Sequence, residues 1–202
     1  ARHFVMPEAI SEFSRGGADI HIEVVESPYT DLLHRLRHGE IDFLIGALRY
    51  PQPVDDIVQE PLFSAALCVA AGKRHPLAAR RNITLPDLAG FPWVLPLPGT
   101  PTRDRFARLM QEQAGVWQQG LVESSSQILI RGLLMNSDRL TLISRHQVQF
   151  EVDLGELVVL DYQISDSLRQ IGLSFRGDWH PTVVQQEFLS VLRAVAARYS
   201  ES

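Results

Sequence analysis

Two arginines stand where predicted strands give way to loops or helices. Arg49 follows an apolar run, and Arg103 lies at the start of a predicted helix. A guanidinium group binds a carboxylate through two parallel hydrogen bonds, and the free N–H groups of a capped helix start attract anions without any further charge. These residue types favour a small anionic ligand. The alternative, that both arginines lie in solvated loops, stays open.

The candidate ligand site consists of segments that follow strand ends, because ligands of open α/β sheets bind at the carboxyl ends of the strands. Ser27 and Thr100 each precede a proline, as expected of an N-cap followed by a first helical residue. The caps are expected to serve the structure first, although a cap can still offer its neighbour's amide to a ligand. The candidate ligand-binding residues are Ser27, Ala47, Leu48, Arg49, Pro98, Gly99, Thr100, Thr102 and Arg103.

Metal and nucleophile chemistry have weaker support. His34 and His38 have the spacing of two metal-ligating imidazoles on a helix, but Arg35 and Arg37 oppose a metal, so a solvated helix face is favoured. Cys68 lies in an apolar run, where a thiol behaves as a small hydrophobe. No GxSxG elbow, phosphate loop or GxGxxG fingerprint occurs. The sequence therefore predicts no catalytic residue, no metal and no cofactor.

The elements that position Arg49 form a compact pattern. Residues 20–24 alternate apolar and polar side chains as in a strand, and Ser27 with Pro28 starts an amphipathic helix that ends at Gly39. Residues 41–45 form a near-continuous apolar run, which is typical of a parallel strand covered on both faces. The pattern predicts a strand, helix and strand in a right-handed crossover.

Similar elements follow along the chain, and composition shifts toward Arg, Pro and loops after Gly72, which indicates a boundary. The predicted fold class is α/β, with two Rossmann-like lobes: lobe I from residues 1–70 plus 173–202, and lobe II from residues 71–172. The remaining predicted strands cover residues 57–60, 65–71, 91–95, 140–144, 157–160 and 171–175, and the remaining helices cover residues 4–13, 101–110 and 128–135 and a long segment after Pro181.

Composition limits the function further. The 202 residues, 45% of them hydrophobic, are enough for one ordinary domain or two small lobes. A net charge of -5 argues against nucleic-acid binding by this chain itself. The apolar runs are far shorter than the ~20 residues of a membrane-spanning helix. We expect no membrane association, a cytoplasmic location, and small organic ligands or proteins as partners.

Four motifs, in their order and spacing, resemble the effector-binding domain of LysR-type transcriptional regulators. The resemblance implies a fold similar to type 2 periplasmic binding proteins, with two α/β lobes, strands that cross near residues 68–72 and 169–173, and an effector in the cleft. The motifs are LLHRLRHGEIDFLIG at residues 32–46, HPLA at 75–78, ITLPDLAGFPWVLP at 83–96 and GELVVL at 155–160.

Three departures accompany the resemblance. Family members carry an N-terminal winged helix-turn-helix and a linker helix, and neither pattern is found in this chain. The strand that usually precedes the first helix also has no counterpart. Arg145 and His146 follow the predicted strand at residues 140–144, where the family usually has a proline.

The resemblance implies a non-catalytic sensor domain that binds a small anionic effector and contacts DNA only through the missing N-terminal domain. A ligand-dependent lobe arrangement would then alter the spacing of the attached DNA readers. The competing hypothesis is a free solute-binding protein or an enzyme on the same fold, because fold does not fix function. An upstream helix-turn-helix would favour the sensor, and a charged and apolar leader would favour export.

The resemblance also implies a homodimer, with a tetramer as a further state of the full-length protein. Independently, the predicted helices at residues 4–13 and 128–135 are apolar over more of their circumference than one buried stripe requires. The alternative is that both helices are buried within their own lobes. The candidate dimer-interface residues are Phe4, Ile10, Phe13, Ile130, Leu133 and Leu134.

Overall fold

A computed structural model describes residues 4–17, 20–52, 54–111 and 120–199. Helices and strands alternate along these residues in a mixed α/β fold. The elements in chain order are α1 (Val5–Arg15), α2 (Tyr29–Arg37), β1 (Leu44–Ala47), β2 (Ile57–Gly72), α3 (Leu85–Ala89), β3 (Val94–Leu95), α4 (Pro101–Gln111), β4 (Val122–Glu123), α5 (Gln127–Asn136), β5 (Thr141–Ser144), α6 (Arg145–Asp153), β6 (Leu157–Val159), β7 (Leu168–Arg176) and α7 (Val183–Ala197).

The chain forms two compact units. Unit 1 comprises Ala1–Ser64 and Arg169–Ser202, and unit 2 comprises Ala65–Leu168. The chain passes from one unit to the other within β2 and again within β7. The predicted functional lobes, 1–70 plus 173–202 and 71–172, stay a prediction.

Unit 1 contains an antiparallel pair in place of the predicted parallel crossover. Strand β1 pairs antiparallel with β7, from Leu44 opposite Ser174 to Ala47 opposite Ile171. The prediction of a parallel strand is therefore wrong, and residues 20–28 form no strand. An alternating pattern indicates a strand only where a neighbouring backbone is available to pair with it, and sequence alone does not identify that neighbour.

The start of α2 differs from the prediction by one residue. The N-cap is Pro28, whose carbonyl accepts hydrogen bonds from the N–H groups of Asp31 and Leu32. Ser27 is therefore not the cap; its hydroxyl donates to the Asp31 carboxylate at 3.0 Å. Gly39 has a φ of 73°, which confirms the predicted left-handed stop.

The first and last helices of unit 1 pack together, and both were predicted. The ring of Phe13 in α1 lies edge-on to that of Phe188 in α7, with centroids 5.4 Å apart. Arg198 bonds to Glu8 and Glu12 of α1. Apolar burial and these charged contacts together fix the two helices.

Unit 2 is built on the second half of β2. This half pairs antiparallel with β5 and β6, and β3 pairs in parallel with β4. The strands predicted separately at residues 57–60 and 65–71 are one 16-residue strand, with Pro61 inside it. In unit 1, β7 is the neighbour of β2 in the described sheet order, so Pro61 can turn its missing N–H to the other side.

The sequence prediction missed two helices of unit 2. Thr84 and Asp87 form a capping box at α3, a signal that the sequence contained. Helix α6 follows β5 without a loop and buries Val148 while leaving Phe150 exposed. Its weak apolar stripe explains why periodicity did not reveal it.

His75 of the HPLA motif has a structural role in unit 2. It is buried, and its Nδ1 accepts a hydrogen bond from the Leu77 N–H at 3.0 Å. Its ring lies 4.4 Å from that of Phe91. Burial lowers the pKa of His75, although Asp138 acts in the opposite direction, so the neutral imidazole fixes the turn after β2.

Within the described parts of the chain, every helix is too short or too polar to span a membrane.

Candidate functional site

Arg49 occupies a fixed position just beyond the end of β1. The Leu48 N–H donates to the Gln170 carbonyl at 2.9 Å, which extends the β1 and β7 pairing by one residue. The side-chain amide of Gln59 bonds to both backbone groups of Arg49, as a neighbouring strand would. Its Oε1 accepts from the Arg49 N–H at 2.9 Å, and its Nε2 donates to the Arg49 carbonyl at 3.0 Å. The backbone of Arg49 is thus held by a side-chain amide.

The guanidinium group of Arg49 is held as well. It lies over the ring of Tyr29, the first residue of α2, with 4.2 Å between the Cζ atom and the ring centroid. This is a cation–π contact. Burial raises the pKa of Tyr29, although the charge of Arg49 acts in the opposite direction, so the phenol is neutral at physiological pH. A residue whose backbone is hydrogen-bonded and whose cation lies on an aromatic ring has less freedom to lose when an anion binds.

Replacing Gln59 by alanine should lower the free energy of unfolding by roughly 1 to 3 kcal/mol. The physical reason is that the Arg49 N–H and carbonyl are half-buried and lose both partners at once. Urea unfolding of the two proteins measures the change. Gln163→Ala, at an exposed position, is the matched control and should unfold at the wild-type midpoint. Equal midpoints for both variants would contradict the role of Gln59.

The candidate residues of unit 2 surround the start of α4. Thr100 caps this helix, since its Oγ1 accepts from the Arg103 N–H at 3.3 Å and its carbonyl accepts from the Asp104 N–H at 3.0 Å. The predicted cap is therefore confirmed. Gly99 has a φ of 79°, which glycine adopts most easily, and Pro98 is exposed.

Arg103 already binds a carboxylate of its own chain. Its Nε lies 2.7 Å from Oε1 of Glu123 in β4, and both side chains are partly exposed. Its Cζ atom also lies 5.6 Å from the centroid of the Phe106 ring. Glu123 takes one of the five N–H donors of the Arg103 guanidinium and ties α4 to β4. The role of Arg103 as a ligand contact stays a prediction.

Two capped helices begin beyond the same pair of strand ends in unit 2. Because β3 and β4 are parallel, their carboxyl ends meet at one edge of the sheet, and α4 and α5 follow them. Ser126 caps α5 by accepting from the Leu129 N–H at 3.2 Å. Ser124 accepts from the Ser126 N–H at 3.0 Å. The sequence predicted these serines as caps but did not include them among the candidate ligand residues.

The nine candidate residues divide between the units and differ in accessibility. Leu48 and Thr102 are each 8% exposed and contribute to packing. Arg49 and Thr100 are half-buried at element ends. Their role as ligand contacts stays a prediction. Unit 1 contains Ser27, Ala47, Leu48 and Arg49, and unit 2 contains Pro98, Gly99, Thr100, Thr102 and Arg103.

The structure supports neither metal binding by His34 and His38 nor reactivity of Cys68 in the described residues. The Nδ1 atom of His38 lies 2.8 Å from the His34 carbonyl oxygen, and the two rings stack with centroids 4.1 Å apart. Cys68 is buried, and burial raises the pKa of its thiol to about 12. Nowhere in the described ranges do three His, Cys, Asp or Glu side chains converge as metal ligands would.

Comparison with known proteins identifies related chains. The family model described as the LysR substrate binding domain matches residues 2–197. The HTH-type transcriptional regulator GalR of Pseudomonas putida is 35% identical over 175 residues, which cover 87% of this chain and 44% of that protein. The chain spans about half the length of the curated relatives it matches.

Solved structures show the same fold. The regulatory domain of Synechocystis CcmR, solved in complex with 2-PG, has a TM-score of 0.76 and 22% identity, over 95% of this chain and 90% of that chain. The effector binding domain of QuiR, solved in complex with shikimate, has a TM-score of 0.72 and 18% identity, over 97% and 90%. At these identities the likeness concerns the fold alone.

Proposed function

The chain belongs to the family of LysR substrate binding domains, and from this premise we propose that it senses a small anionic molecule for a bacterial LysR-type transcriptional regulator. As a member of this family it is an effector-binding regulatory domain, which confirms the expectation that it is not an enzyme. The proposal that the effector is negatively charged rests on Arg49.

The arrangement around Arg49 supports an anionic effector. The strand end and the Gln59 amide hold the backbone at Leu48 and Arg49, and the Tyr29 ring lies against the Arg49 guanidinium. Charge-assisted hydrogen bonds to a carboxylate or phosphate are about twice as strong as neutral ones. The structures of the CcmR and QuiR domains with 2-PG and shikimate support a small molecule as the effector here. The predicted contacts of unit 2 around Thr100 remain part of the proposal.

Binding would act by population shift. An effector changes a regulator only to the extent that it binds one conformation more tightly than another. We assign DNA contact to a segment outside this sequence, because the related proteins are named HTH-type regulators and this chain carries a net charge of -5. The same relatives support a cytoplasmic location for the whole regulator.

Replacing Arg49 by glutamine should weaken effector binding roughly 10- to 150-fold, which corresponds to the loss of about 1.5 to 3 kcal/mol for a charge-assisted pair. The effector is first found by thermal-shift screening, and its dissociation constant is then measured by calorimetry. Arg15→Gln, at an exposed position of the same unit, should bind with wild-type affinity. Wild-type affinity for Arg49→Gln would contradict the proposed site.

We also propose a homodimer, with a tetramer as a further state of the full-length regulator. Ile130 and Leu134 are each 1% exposed and pack in the core of unit 2, and Leu133 packs against that core. The most exposed large apolar side chains of α5 are instead Ile128, which is 83% exposed, and Leu129, which is 48% exposed. We therefore place the proposed contact of α5 on Ile128 and Leu129.

In unit 1 the candidate interface residues also have internal contacts. The ring of Phe4 lies 4.7 Å from that of Tyr199, and Phe13 packs against Phe188. Phe13 is buried, whereas Phe4 and Ile10 are half-buried and therefore more accessible to a partner.

Replacing Ile128 by glutamate should raise the dissociation constant of the dimer at least tenfold, because burying an unpaired carboxylate in an apolar contact is costly. Light scattering at micromolar concentration measures the mass. Val183→Glu, which is also at an exposed position, should leave the dimer intact. A wild-type mass near 22.7 kDa at every concentration would refute dimerisation.

A further inference from the structure

Arg176, the last residue of β7, holds the end of α2. Its Nη1 donates to the Leu36 carbonyl at 2.7 Å, and a longer contact of 3.5 Å reaches the Ile41 carbonyl. A Cβ atom added to Gly39 would lie 3.6 to 3.8 Å from the guanidinium atoms, so this group lies beside the turn that stops the helix. The negative end of the helix dipole favours a cation at this place. Arg176 therefore ties α2 to β7.

The apolar packing of α2 is concentrated at the same end. Among its nine residues, all of which the structure describes, the only buried one is Leu36, in the last turn. Leu32 and Leu33 are half-buried. Because most helical stability comes from packing of an apolar face, a helix with one buried side chain depends on its hydrogen-bonded contacts to keep its direction. The carbonyl that Arg176 binds belongs to that one buried residue.

The other end of α2 meets the proposed effector site. Tyr29, its first residue, lies 4.2 Å from the Arg49 guanidinium, measured from the ring centroid to the Cζ atom. The nine residues of α2 span roughly 13 Å, so a tilt of about 10° at the C-terminal end would move Tyr29 by roughly 2 Å. Cation–π attraction extends only to about 6 Å, so a movement of this size would weaken the contact.

We propose that Arg176 is a positioning residue of the effector site, which acts through α2 by fixing the place of the Tyr29 ring against Arg49. This inference rests on the proposed function, because it concerns the support of the site at the end of β1. Loss of the bond to the Leu36 carbonyl should let α2 tilt and loosen the contact between ring and guanidinium. The backbone of Arg49 is held separately by the Gln59 amide, so the change should concern the side chain of Arg49.

The nuclear magnetic resonance signal of the Arg49 Nε–H group tests this connection directly. The ring current of Tyr29 shifts the signal, so Tyr29→Leu defines the change that follows when the ring is lost. Arg176→Gln should move the signal in the same direction by at least half of that change. Arg35→Gln is the matched control, because Arg35 lies on the same helix and pairs with Glu40 just beyond it. It should leave the signal in place.

Titration with acetate, the simplest carboxylate probe, measures the effect on anion binding. Arg176→Gln should raise the dissociation constant at least threefold, and Arg49→Gln should raise it at least tenfold. Arg35→Gln removes the same charge from the same helix and should bind like wild type. Arg176→Lys should raise the constant about twofold, because lysine keeps the charge and one donor for the Leu36 carbonyl but loses the planar fork.

The outcomes separate the positioning role from the proposed function. Wild-type affinity and an unmoved Arg49 signal in Arg176→Gln, together with a loss of affinity in Arg49→Gln, would overturn the role of Arg176 and leave the proposed site in place. If Arg176→Gln does not fold, Arg176→Lys decides, and an unmoved signal in that variant would overturn the role. Failure of the wild-type protein to bind acetate would overturn it as well, whereas the proposed function is tested separately with organic acids.

Discussion

Gly172→Ala should lower the free energy of unfolding by about 3 kcal/mol or more, the upper end of the range for overpacking a filled site. A Cβ atom on Gly172 would overlap the Glu60 carbonyl oxygen and would lie 3.0 Å from Cδ1 of Leu48. The first obstacle is backbone of β2, which cannot move aside as a flexible side chain can. The second adjoins Arg49, so affinity for the effector should fall together with stability.

The opposite glycine of the same strand pair provides a matched control. Gly46 faces Gly172 in the register, and a Cβ added to Gly46 would meet nothing within 4 Å. Gly46→Ala should therefore change the free energy of unfolding by less than about 1 kcal/mol. Urea unfolding of both variants measures the difference. Equal midpoints would show that β7 and β2 do not approach each other at position 172 as the structure describes.

Cys68 should react with a thiol reagent roughly a thousandfold more slowly in the folded protein than in the unfolded chain near pH 7.5. Only the thiolate reacts, and burial raises the pKa of this thiol to about 12, against about 8.5 for a free cysteine. The side chain is also only 8% exposed, which hinders the reagent directly.

The pH dependence separates the folded from the unfolded chain. Because the folded-state pKa lies near 12, the rate of the folded protein should keep rising with pH through the range from 8 to 10. The rate of the urea-unfolded control should level off once pH exceeds about 8.5, where the free thiol is ionised. A folded-state rate that levels off below pH 9 would contradict the buried, protonated thiol. The predicted result makes Cys68 a packing residue rather than a redox sensor.

The sequence predicted those features of the site that depend on neighbours along the chain. The Thr100 cap, the Gly39 stop and the place of Arg49 after a strand all follow from local backbone chemistry. The family resemblance rested on four such local motifs and is confirmed. Local signals of this kind need no knowledge of which strand lies beside which.

The features that the sequence did not predict depend on distant pairing. Gln59 supports the backbone of Arg49 from another strand, and β1 pairs with β7, which lies more than 120 residues later in the chain. The prediction of Ser27 as the N-cap was wrong, because the carbonyl of Pro28 accepts the first helical hydrogen bonds. The sequence also did not predict that the Nε–H of Arg103 bonds to Glu123, which lies 20 residues later on β4. Periodicity shows that a residue lies on a face, but not what lies opposite.

The most direct test of the account is a thermal-shift screen of the purified protein with small organic acids, each beside the amide of the same skeleton. A ligand at ~100 times its dissociation constant adds about 2.7 kcal/mol, which for a domain of this size raises the melting temperature by roughly 5 to 10 °C. We expect such a rise with at least one acid, no rise with its amide, and loss of the rise in Arg49→Gln. A compound that stabilises the protein equally as acid and amide, or equally in wild type and Arg49→Gln, would contradict an anion-sensing site at Arg49.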